Sequence, residues 1–323
     1  MDKIEEIKKK IYPNIDETYS KYLSFYLYGL DYYNLLPSND SLEEVAKRII
    51  EMYPNFVLYD DEHPITLKYG KDIKGVREVE DKTIYVRNSL DETLKSITIF
   101  HEIHHAAQTQ LGGKIGIYNP DDGLGRLIME AQTQYCAELI YSLMMDRQFR
   151  VKEIPTQKLR LPKFGTVVSN LHNYELYDNL LSKLSILLGV EKNYFITLCF
   201  FNHDDAVNIL KLRCEEARIN SKIPFNFEEI MIMFDYIYVV DYMSYIDTDV
   251  KKVLNAGLTT KSEYIINRYT PPMKLSNKYS KRFITYFDMK TLKAIRHHRV
   301  LRTKFSKYIV DNDLRNFVKN VLN

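Results

Sequence analysis

The stretch Thr98 to Gln110 reads TIFHEIHHAAQTQ and holds His101, Glu102, His104 and His105. The whole chain of 323 residues has eight histidines, so three of them within five positions concentrate the side chain best suited to metal binding and proton transfer. On a helix advancing about 100° per residue, His101, His105, Thr98, Glu102, Gln108 and Thr109 fall in one stripe about 120° wide. Ile99, Phe100, Ile103, Ala106 and Ala107 fall opposite, which predicts a buried helix with one polar wall. His101 and His105 stand one turn apart, so each can direct an imidazole nitrogen at a common point about 2 Å away, the distance that Zn²⁺ takes. Glu102 flanks that point without being needed as a ligand. His104 is about 60° off the metal direction, which predicts packing or hydrogen bonding for it.

The pattern is H-E-x-x-H, two metal ligands and a carboxylate placed to act as a general base. Zinc in a catalytic site takes a third protein ligand and keeps one position open. AAQTQLGG follows the motif, so no third histidine comes at the spacing that metzincins use. The best candidate is Glu130, in LIMEAQTQYCAE, on a predicted helix over about residues 126–145. Thr133 and Gln134 share its face, and Gln134, one turn on, is placed to hydrogen-bond a ligand imidazole. Glu138 is a weaker ligand candidate. With two neutral imidazoles and one carboxylate, a bound Zn²⁺ keeps net positive charge and lowers the pKa of water toward neutrality, while Glu102 takes the proton.

The elements that must position these groups follow from periodicity. The chain opens with a predicted helix over about residues 2–30, broken at Pro13. A second starts at Ser41, where SLEE makes a capping box with Glu44. NFVLYD, ITLKYG, GVREVE and KTIYVR then read as short strands of a small, mostly antiparallel sheet over about residues 55–88. SLDE, from Ser89 to Glu92, reads as another capping box opening the histidine helix. LGGKIGIYNPDDGLG holds five of the eleven glycines and reads as a loop able to approach a ligand or move. Beyond about Glu153 the pattern is mainly helical, over about 168–188, 203–219, 226–245 and 288–309. The predicted division is a unit over residues 1–150 and an α-helical unit over 151–323, with a boundary near Pro155, Pro162 and Gly165.

His101, Glu102, His105 and Glu130, in this order of elements, resemble the gluzincin peptidases. The arrangement is most similar to the compact metallopeptidase domain of the ImmA/IrrE type, over about residues 40–150. The resemblance implies an α+β, zincin-like fold, a bound zinc ion, a protein or peptide substrate and Glu102 as the base. It also implies that KTIYVR is the edge strand over the cleft, open to strand addition. The chain departs from the pattern at His104, where a small residue is usual. It departs again at Gln134, where thermolysin-like relatives carry an acid. Tyr118 and Tyr141 are weak candidates for stabilising the oxyanion.

Composition bounds the rest. The chain is 45% hydrophobic and 27% charged, as soluble globular proteins are, and no run of eighteen apolar residues suggests a membrane span. The start lacks the apolar core of a secretory signal, and Cys136, Cys199 and Cys214 are odd in number and far apart. Both features predict a cytoplasmic protein with buried thiols. Net charge is +2, yet residues 261–310 carry thirteen Lys or Arg against two acids, leaving −9 on the remainder. That segment is a solvated face or a docking surface for an acidic partner or nucleic acid. Two other classes of function therefore stand beside the enzyme: a metal-bearing regulatory module without hydrolysis, and a nucleic-acid-associated protein using the basic segment.

Overall fold

The computed structural model describes residues 2–38, 40–69, 73–110, 113–119, 125–148 and 188–221, with single positions at 177, 178, 181, 184, 185, 227, 230, 231 and 234. Residues 261–310, with their basic segment, lie outside the described residues, as do most of the helices expected over 168–188, 226–245 and 288–309. The described residues form eight helices and one three-stranded sheet, an α+β arrangement.

Helices α1 (Asp2–Ile11) and α2 (Glu17–Tyr32) flank Pro13, where the sequence predicts the break. α3 (Leu42–Met52) begins with the expected capping box: Ser41 accepts from the Glu44 amide and Glu44 accepts from the Ser41 amide. Strand β1 (Asn55–Tyr59), helix α4 (Pro64–Tyr69), strands β2 (Gly75–Glu78) and β3 (Thr83–Arg87), and helix α5 (Glu92–Gln108) follow. After the glycine-rich loop come α6 (Arg126–Gln148), α7 (Asn193–Leu198) and α8 (His203–Ser221).

Three expectations need correction. ITLKYG is not a strand. Its alternating Ile65, Leu67 and Tyr69 have period two, but Pro64 sits at the first helical position, where its missing N–H is harmless. The His63 ring accepts from the Ile65 amide and completes that start. The sheet is mixed rather than mostly antiparallel, because β1 pairs with β3 in parallel and β2 pairs with β3 antiparallel. KTIYVR is consequently the central strand, and the edge strand beside α5 is β2. Finally, α5 is capped by Asp91, which accepts from the Leu94 amide, while the Ser89 hydroxyl donates to Asp61.

The core forms where α2, α3, β3, α5 and α6 meet, with Leu23, Leu27, Ile49, Ile84, Phe100, Ile103 and Ile140 fully enclosed. Every residue of α5 from Ser96 to Gln108 is buried. The helix lies against α2 and α3 on its apolar side and against α6 and β2 on its polar side. Ile196 on α7 and Phe200 just after it belong to the same core, although they follow residue 150. The cysteines are buried free thiols, as expected. Among the described residues no helix is long and apolar enough to cross a membrane.

Candidate metal centre

α5 and α6 lie side by side, and their facing residues build the site. His101 Nε2 and His105 Nε2 approach to 3.0 Å, and Glu130 Oε2 is 3.5 Å from each. In a tetrahedral shell with donors at about 2.0–2.2 Å, neighbouring donors are roughly 3.4 Å apart. The three atoms are therefore spaced like the corners of a metal's coordination shell, and all three residues are buried. Among the described residues this is the one group of three or more His, Cys, Asp or Glu side chains close enough to hold a metal ion. The predicted trio His101, His105 and Glu130 is brought together; Glu138 is not part of it.

The hydrogen bonds around the trio fix which nitrogen faces the centre. His101 Nδ1 donates to Gln134 Oε1 at 3.0 Å, which leaves the Nε2 lone pair for a metal. Gln134 in turn donates through its amide nitrogen to Glu138 Oε1 at 2.7 Å. The Thr133 hydroxyl lies 3.5 Å from His105 Nδ1, a looser contact. Thus both residues expected to support the imidazoles stand beside them.

Electrostatics follow the same geometry. Burial holds the His105 pKa well below the ordinary value, so its imidazole is neutral and able to coordinate. Burial also pulls His101 down, but Glu130 and Glu102 outweigh it and leave its pKa raised. For Glu130 burial acts upward, yet His105 and His101 together keep its carboxyl well below the usual range. Burial raises Glu102 against the opposing pull of His101 and Arg77. Burial takes Glu138 to about 8, well above an ordinary carboxyl.

His104 serves another purpose. Its ring is fully buried, with Nδ1 2.7 Å from the Tyr26 hydroxyl and Nε2 2.9 Å from Gln132 Oε1 and 2.5 Å from Gln108 Nε2. Gln132 and Gln108 pair their carboxamides reciprocally, at 2.9 and 3.0 Å. Burial pushes the His104 pKa down to about 3, so it stays neutral. This network ties α2, α5 and α6 together behind the metal ligands. Gln108, which the helical wheel places on the metal side, belongs to it instead.

One charged residue at the site, Arg77, is marked by no motif in the sequence. Arg77 donates from Nε to Glu102 Oε2 at 3.3 Å and from Nη1 to the Thr109 hydroxyl at 3.3 Å. The register explains its place. Gly75 pairs with Val86 and Arg77 with Ile84, and both partners are buried in the core, so residues 75 and 77 face α5. Gly75 is required there: a Cβ would lie 2.7 Å from Thr98 Cγ2 and 3.0 Å from Glu102 Cγ. The alternation of GVREVE held this information, but only once the strand's inward face was known. The Tyr141 hydroxyl pairs with Thr93, at 2.9 Å, two turns from His101. Tyr118 stacks beneath the Arg126 guanidinium.

Comparison of the chain with protein-family models, with curated proteins and with solved structures finds no match.

Proposed function

We propose that this protein is a zinc-dependent metallopeptidase of the gluzincin type, acting on a protein or peptide substrate. The observation that carries the reading is the convergence of His101 Nε2, His105 Nε2 and Glu130 Oε2, with Glu102 beside the cluster rather than in it. Two imidazoles and a carboxylate suit Zn²⁺ among the common ions, and three protein ligands leave a coordination position for chemistry. A zinc ion held there supplies a Lewis acid that polarises a carbonyl and brings the pKa of water toward neutrality.

The rest of the chemistry falls to the chain. Glu102 takes the proton of the attacking water and returns it to the leaving amine, and its raised pKa suits both steps. Gln134 holds the His101 ring in the tautomer that presents Nε2. β2 offers the sheet edge nearest to Glu102, where an extended peptide can pair by strand addition. A metal-bearing module without hydrolysis would have no use for a base at Glu102.

Two measurements test the reading. Elemental analysis should find about one zinc per native chain, and Glu130→Ala should lose it. Glu102→Gln should keep the zinc and the fold while turnover of a cleaved substrate falls by about 10²–10⁴-fold. Full turnover in that variant would refute the mechanism, and full zinc in Glu130→Ala would remove Glu130 from the ligand set.

A further inference from the structure

Beside the base Glu102 stands a partly buried guanidinium, Arg77, for which peptide hydrolysis as described has no role. Arg77 lies against Glu102, which flanks the trio, and its side chain is only partly covered.

Arg77 lies over the Tyr53 ring, 6.0 Å from its centroid, yet its hydrogen-bonding capacity is only partly used. A guanidinium carries five N–H donors in a planar fork. Here one Nε–H reaches Glu102 and one Nη1–H reaches Thr109, both at 3.3 Å, long for charge-assisted bonds and not the parallel pair that carboxylates form with arginine. Nη2 makes no hydrogen bond among the described residues, and the side chain keeps 15% of its exposure. Arg77 sits on edge strand β2, on its α5 face. A peptide added to that edge would place a side chain opposite Arg77 on the same face, about 5 Å away.

We propose that Arg77 is a specificity-determining residue that binds a carboxylate of the substrate next to the metal centre, so that the site prefers peptides with an acidic group beside the scissile bond. This inference rests on the metallopeptidase reading. A side-chain carboxylate on an added strand fits the geometry best; a free C-terminal carboxylate offers the same chemistry.

Three malonyl hydroxamates test it, coupled to aspartate amide, to glycine with a free C-terminus, and to glycine amide. The hydroxamate anchors each at the metal, and the coupled residue reports on Arg77. Their affinities are measured by titration calorimetry on the full zinc-loaded chain, with zinc content determined in the same samples. The aspartate amide should bind about tenfold or more tightly than the neutral glycine amide, as a charge-assisted contact allows. Arg77→Gln should abolish that preference, read as the ratio of the two affinities within the same variant, and Arg77→Lys should keep part of it. A preference for the free C-terminus instead would assign Arg77 to terminal carboxylates. Equal binding of all three by the wild-type chain, or a preference that survives Arg77→Gln, would overturn the inference and leave the metal site standing. A chain without zinc that binds none of them would overturn both.

Discussion

Glu138 lies two turns beyond Glu130 on α6, buried, and accepts a hydrogen bond from the Gln134 amide. Burial raises its pKa from 4.5 to about 8. Below pH 4.5 the carboxyl is protonated in folded and unfolded chains alike, and it adds no pH dependence. Between 4.5 and 8 the folded chain keeps a proton that the unfolded chain has released. Stability therefore falls as pH rises, by about 1.4 kcal/mol per unit. The full loss by pH 8 is about 5 kcal/mol, an upper bound, since water entering the site relieves it. Glu138→Gln keeps the acceptor for Gln134 and cannot ionise, so it removes this loss. The variant should match the wild type near pH 5 and exceed it by at least about 2 kcal/mol at pH 8. Urea unfolding of both metal-free proteins at pH 5, 6.5 and 8 gives the comparison, because the other titrating groups are common to both. Parallel stability curves across that range would refute the argument that burial keeps this carboxyl protonated.

Two further substitutions probe the surroundings of the site. His104→Ala leaves the Tyr26 hydroxyl and the Gln132 carboxamide without their partner in a dry interior. It should lower unfolding stability by about 3 kcal/mol or more while the zinc content of the folded protein is kept; a loss under about 1 kcal/mol would mean that water replaces the ring. Gly75→Ala sets a methyl group 2.7 Å from Thr98 Cγ2. It should cost about 1–3 kcal/mol in thermal unfolding, with part of that recovered in the Gly75→Ala, Thr98→Ala double variant; strictly additive losses would show that β2 and α5 do not meet there.

Much of the candidate site was legible in local order. The i, i+4 spacing of His101 and His105 sets both imidazoles on one face of any helix, and the wheel alone separates them from His104. Glu130 and Gln134 were legible for the same reason, being one turn apart on a helix whose apolar neighbours mark it as buried. The capping box at Ser41 is local too, and it formed as read. The sheet was not legible, because pairing partners are chosen over long range. KTIYVR took the central position because β1 and β2 both found it, and a period of two cannot say which strand lies between which. ITLKYG failed for a local reason that outweighed its alternation, a proline placed where helices start. The contact of Arg77 with Glu102 joins residues 25 positions apart. It depends on the register of β2 on β3 and on the close approach that Gly75 allows. Local spacing marks the residues able to bind a metal. Tertiary packing decided which strand edge faces them and which charge sits beside the base, since those depend on what each face meets and not on its own periodicity.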